Sequence, residues 1–189
     1  MLASYPTINI EVAQNFFVDC EDLLKRYDKT SESFFAVKSR RLKCFNDLRS
    51  AYECALKCAI AYHQHPETER RRLIEQVERN GHRIEKLEEE VSRLVGLAVY
   101  SIEEKGAVLT RLPVSLRYAL DGFDFLAAQE PLYYETIGSD TWLDSFRVYI
   151  GRVLEALNAT LSKHSGILSA ADIPIEKVLD TEYNKYRKA

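Results

Sequence analysis

The chain has 189 residues, 46% of them hydrophobic and 29% charged, enough for one packed core and too polar-apolar balanced for a globally disordered chain. Its formal net charge of -3 gives no overall drive toward nucleic acid or acidic lipid, although a local basic patch can still act. With 7 Gly and 5 Pro it has few turn formers, which favours long helices.

The start, MLASYPTINIEV, lacks the basic n-region and apolar run of a signal peptide, and residues 1 to 8 read as an irregular lead-in. From about Asn9, Val12, Phe16, Cys20, Leu23 and Leu24 recur at helical spacing. Asp28 to Ser31 end that helix, and Thr30 or Ser31 is expected to cap the next. The second helix is expected from about Glu32 to His63, with Phe34, Val37, Phe45, Leu48, Tyr52, Ala55, Ala59 and Tyr62 on its packing stripe. Lys38, Arg40, Arg41 and Lys43 form a basic cluster that reads as a solvated face or a nucleic-acid contact. Pro66 stops this helix, and Glu67 and Glu69 suit the positive end of the next one.

Leu73, Val77, Ile84, Leu87, Val91, Leu94 and Ala98 fit one heptad-like seam, with Asn80 in a polar slot. Gly81 either breaks this segment or is tolerated within one long arm at about 1 kcal/mol; the Asn80-Gly81 pair favours the break. Residues 105 to 113 read as a connection. After Pro113 a short helix is expected to end near Asp121-Gly122, and Glu130 to Ser139 reads as a loop with two tyrosines. Ser139 or Asp140 caps a helix bearing Leu143, Phe146, Ile150, Val153, Leu154, Leu157 and Leu161, which ends at Ser165-Gly166. Asp172 and Pro174 open one more helix, so residues 167 to 189 form a helical appendage to a single domain.

No phosphate-binding glycine loop, HExxH or G-x-S-x-G elbow is present, which argues against classical nucleotide hydrolysis and hydrolase chemistry. Cys20, Cys44, Cys54 and Cys58 read as reduced thiols of a cytoplasmic protein, and no apolar run approaches the roughly 18 residues of a membrane span. Cys54 and Cys58 are one turn apart with His63 and His65 nearby, but four converging zinc ligands are not apparent, so neither metal nor cofactor is expected. Glu88, Glu89 and Glu90 read as a solvated face, and Asp121 with Asp124 as a helix end. His82 falls at a helix start, where backbone donors can hold a neutral imidazole. His63 and His65 fall at a helix end, where a charged one is favoured. Tyr118, Tyr133, Tyr134, Tyr183 and Tyr186, with Arg111 and Arg117, are of the types that anchor interfaces, though core packing accounts for many aromatics.

The segments AYECALKCAIAY and GHRIEKL, followed later by LRYALDG, together resemble the HEPN superfamily over residues 48 to 160. The resemblance implies an all-α bundle with two or three long antiparallel helices, usually a homodimer, from a prokaryotic toxin–antitoxin or defence setting. It points to binding of a nucleotide, RNA or a partner protein such as a nucleotidyltransferase or toxin. His82, Arg117, Tyr118 and Lys57 are the ligand- or partner-binding residues it selects. HEPN ribonucleases carry an arginine four to six residues before a histidine. Here Arg79 stands three residues before His82, so no catalytic residue is assigned. Two other readings stand beside this one: a ribonuclease with a composite His82–Arg117 site, and an adaptor, antitoxin or immunity protein acting through residues 67 to 104.

Overall fold

The computed structural model describes residues 7–33, 36–112 and 119–164, and within these the side chains of all but 119–123 and 164. Every regular element among them is helical. The bundle is built on α2 (Val37–Tyr62), whose residues from Leu42 to Ala61 are buried at almost every position. Burial on all sides, rather than along one stripe, marks a central helix.

Helix α1 (Ile8–Ser31) covers one side of it. Asn9 Nδ2 donates to the carbonyls of Tyr62 at 2.9 Å and Gln64 at 3.3 Å, while Arg26 Nε donates to Asp47 at 2.8 Å. The start of α1 therefore lies at the end of α2. Helix α8 (Asp140–Leu161) covers a second side, setting Phe146 and Tyr149 edge-on to Tyr52 at centroid distances of 5.8 and 5.5 Å. Arg41 grips Asp140 with a fork of 2.9 and 2.7 Å, and Arg147 grips Asp28 at 3.0 and 2.9 Å. Both forks tie α8 to the α1–α2 pair, the first from α2 and the second from α1.

The third side is closed by α3 (Arg70–Glu78) and α4 (Ile84–Leu94), through the buried Leu73, Val77, Ile84, Leu87 and Val91. The expected seam thus faces the chain's own core, and Ala98 lies outside it, exposed. The break occurs between α3 and α4, with Gly81 at φ +53° in the left-handed region that ends helices. A 3-10 turn (Leu97–Tyr100), α5 (Gly106–Leu109), α6 (Ala119–Ala128) and α7 (Glu130–Glu135) lead to α8, which a second 3-10 turn (Ser162–His164) follows.

Several local expectations change. Thr30 and Ser31 belong to α1 and do not cap α2: Ser31 Oγ donates back to the Asp28 carbonyl at 2.8 Å, the local bond that competes with capping. α2 starts at Val37, itself 49% exposed, after Ala36, which makes no side-chain cap. Phe34 lies outside the described residues. Glu67 and Glu69 precede α3 rather than sitting in its first turn, and Asn80 bonds the Lys86 carbonyl at 3.3 Å instead of filling a seam. α6 runs through Asp121-Gly122, because a helical glycine costs only about 1 kcal/mol and Phe125 beyond it is buried. Residues 130–135 form α7 instead of a loop, since Pro131 sits in its first turn, where no amide donor is needed. Ser139 does cap α8, accepting from the Trp142 amide at 3.2 Å.

All four cysteines are free. No described helix is long and apolar enough to cross a membrane. Of the expected lead-in 1–8, residues 1–6 lie outside the described residues and Ile8 already opens α1. α8 ends at Leu161, ahead of the expected stop at Ser165-Gly166, which with the appendage to 189 lies outside them.

Candidate functional site

Within the apolar middle of α2, Arg49, Glu53 and Lys57 recur every fourth residue and so share one face. All three are buried, and a buried charge is tolerated only when paired. Glu53 is the common partner. Its carboxylate lies 2.8 Å from Lys57 Nζ on one side and 2.9 Å from His82 Nδ1 on the other. Lys57 packs its ammonium over the Phe16 ring at 5.8 Å, a cation–π contact that offsets part of its desolvation.

His82 is held at the mouth of this pocket of charge. Its side chain is 72% exposed, against 11% for Glu53 and 10% for Lys57. A carboxylate only accepts, so the Nδ1 facing it carries the proton and Nε2 is left for solvent or a ligand. Arg49 fixes the backbone around it, donating to the carbonyls of Leu109 at 2.8 Å, Leu112 at 3.4 Å and His82 at 3.3 Å. Burial pushes the Arg49 pKa down, with neighbouring Glu53 opposing, and its Nε has no partner among the described residues. Exposed Arg79 and Arg83 flank the same turn. Arg49, Lys57 and His82 surround the one Glu53 carboxylate, and at the surface Arg79 and Arg83 stand beside exposed Glu78 and Glu85, with Glu90 near Arg79.

The structure thus brings together His82 and Lys57, two of the residues selected from sequence, through a Glu53 that was not selected. Arg117 and Tyr118 lie outside the described residues. The backbone does not hold the His82 imidazole as expected; the carboxylate does. His63 departs further from expectation: half-buried, with Nε2 2.7 Å from the Tyr100 hydroxyl, its pKa is lowered by burial, which favours the neutral form over the expected charged one.

Glu88 is the second correction. It is buried, not solvated, and accepts from the Tyr52 hydroxyl at 2.7 Å and the amides of Lys105 at 2.8 Å and Gly106 at 3.0 Å. Glu89 and Glu90 are the outward members of that run, pairing with Lys86 and Arg93. Of the expected interface tyrosines, Tyr133 is buried and Tyr134 exposed at 57%. Burial raises the thiol pKa values of Cys44 to about 11 and Cys54 to about 12, so neither is a reactive thiolate. Among the described residues no group of three or more His, Cys, Asp or Glu is placed to hold a metal ion. No protein-family model, curated protein or solved structure matches this chain.

Proposed function

We propose that this chain is a HEPN-like helical bundle that binds RNA or a nucleotide phosphate at the His82 turn and does not cut it. The observation carrying this reading is the single Glu53 carboxylate shared by buried Lys57 and exposed His82. Glu53 takes the Nδ1 side of the imidazole and leaves Nε2 for a ligand, and exposed Arg79 and Arg83 stand three residues before and one after His82 in the chain. Guanidinium forks grip phosphate oxygens, and an imidazole whose proton sits on Nδ1 presents Nε2 as an acceptor for a ribose hydroxyl. The antiparallel α1–α2 pair supplies the rigid support beneath them. Cleavage of RNA would need a second proton-transfer group aimed at the same phosphate, and both Glu53 oxygens are already engaged.

A labelled single-stranded RNA, followed by anisotropy at two salt concentrations, tests the proposal. Binding is expected to weaken with salt, and roughly tenfold in a His82→Ala, Arg83→Ala double variant. Equal binding by wild type and variant would remove the His82 turn from the function.

The His82–Glu53 pair itself favours one second reading, a ribonuclease in which Glu53 orients His82 as general base. Transfer RNA shortened by the wild type and left whole by His82→Ala would select it over binding alone.

A further inference from the structure

A cavity of about 340 Å³ opens between α5 and α8; Leu109, whose carbonyl Arg49 holds, lines it, but none of Glu53, Lys57 and His82 does. We propose that this pocket binds a flat aromatic ring carrying one anionic group. The reading is independent of the function assigned to His82.

Trp142, Phe146 and Tyr149 form its aromatic wall. They fall at three- and four-residue spacing on α8, which puts them on one face. The rings of Phe146 and Tyr149 are nearly parallel, 13° apart with centroids 6.1 Å from each other, and the Trp142 ring lies 5.4 Å from Phe146. Tyr149 is fixed by its hydroxyl, which accepts from the Glu103 amide at 2.9 Å and lies 3.1 Å from the Tyr52 hydroxyl. Phe146 and Tyr149 are buried, at 5% and 3% exposure, and Trp142 is half-buried, so a ligand ring meets an aromatic wall that is already held in place.

Two cations stand over this wall. Lys105 Nζ lies 5.1 Å and the Arg152 guanidinium carbon 5.9 Å from the Tyr149 ring centre. The Glu103 carboxylate sits between them, 2.7 Å from Lys105 Nζ and 3.5 Å from Arg152. It shows that the gap accepts an oxyanion. All three side chains are solvent-accessible, at 53% for Glu103, 36% for Lys105 and 59% for Arg152, and exposed ion pairs of this kind are weak. A ligand anion can therefore take the place of Glu103 at little cost. Two cations to one carboxylate leave a unit of positive charge for it. The volume falls in the range of small-molecule sites, about 300–1,000 Å³.

The anion can be a carboxylate or a phosphate, so the probes are 4-hydroxybenzoate and adenosine 5′-monophosphate, with acetate and adenosine supplying each half alone. The chain contains 1 Trp, and because Trp142 lines the pocket its fluorescence reports on this site. Saturable quenching by at least one complete probe, with neither half binding within tenfold of it, supports the proposal; whichever probe binds identifies the anion. Arg152→Ala and Lys105→Ala are each expected to weaken binding by about tenfold through loss of one charge-assisted contact. Glu103→Gln is expected to strengthen it several-fold by releasing both cations, a gain that misfolding cannot produce. No quenching or heat from either probe overturns the proposal. So does an affinity unchanged by the cation substitutions, or one lowered by Glu103→Gln.

Discussion

Glu53 Oε2 lies 2.9 Å from His82 Nδ1, and this one contact joins the central helix to the turn that separates α3 from α4. Because the other oxygen of Glu53 serves Lys57 at 2.8 Å, the carboxylate has one buried partner and one exposed one.

Glu53→Gln separates the two roles. It leaves the Lys57 ammonium buried without its counter-charge, a change expected to cost about 3 kcal/mol. A Glu53→Gln, Lys57→Met pair removes both charges and is expected to recover most of that stability while His82 stays unoriented. Urea unfolding of wild type and both variants measures this. A double variant no more stable than the single one would show that the ion pair is not what the buried charges are there to satisfy.

Two glycines of the same region are predicted to behave differently. A Cβ on Gly106 would stand 2.6 Å from Glu88 Oε2 and 2.7 Å from the Glu85 Cα, so Gly106→Ala must push α5 off α4 and break the carboxylate's bonds. Overpacking of this kind costs about 1–3 kcal/mol, and the broken bonds place the expected loss at the upper end. Gly81 has nothing within 4 Å of its Cβ position, and only its φ of +53° opposes a side chain. Gly81→Ala is expected to cost about 1 kcal/mol. Thermal or urea melts ranking Gly81→Ala as the worse variant would contradict the close α4–α5 contact.

Glu88→Gln probes that contact from the other side. An amide can satisfy only part of a site built by the Tyr52 hydroxyl and two backbone amides, since its own nitrogen donates. The expected loss is about 2–3 kcal/mol. Glu89→Gln, in the neighbouring exposed position, is expected to change stability by no more than about 0.5 kcal/mol. Equal effects at 88 and 89 would return Glu88 to the surface.

Much of the helical framework can be read from the sequence, because apolar periodicity and punctuation act locally. The start of α8 at its Ser139 cap and the break at Asn80-Gly81 both follow from residues close in the chain. The buried charges depend on which way a helix is turned, and that information is present but easily passed over. Ile84, Leu87, Glu88 and Val91 occupy the i, i+3, i+4 and i+7 positions of one apolar stripe, so Glu88 is marked as the inward member of its acidic run. Arg49, Glu53 and Lys57 carry the same kind of mark, as charges at every fourth position of a helix otherwise apolar in its second half. What no local signal supplies is the pairing of Glu53 with His82, 29 residues apart, which arises only when α4 packs on α2. Of the aromatic wall of α8 only Phe146 belongs to the apolar stripe read from the sequence, and Trp142 and Tyr149 do not. Its cations come from the 103–105 connection and from the outer face of the helix, and only the packing brings them over Tyr149.

His63 sets a pH dependence whose direction is fixed by its burial. Its ring packs edge-on against Tyr62 at 5.1 Å and reaches the Tyr100 hydroxyl, and burial lowers its pKa from the ordinary 6.5. Above about pH 6.5 both folded and unfolded chains hold it neutral, and its contribution to stability is fully present. As pH falls through 6.5 the unfolded chain takes up a proton that the folded one resists, so stability drops until the lower folded pKa is reached and then levels off. A His63→Gln variant keeps a polar partner for Tyr100 and removes the titration. Urea melts at pH 7.5, 6.0 and 5.0 are expected to show wild type losing more stability than the variant across that range, while carboxylate titration lowers both alike. Parallel losses in the two proteins would mean that the folded chain accommodates the charged imidazole, and that the Tyr100 contact survives protonation.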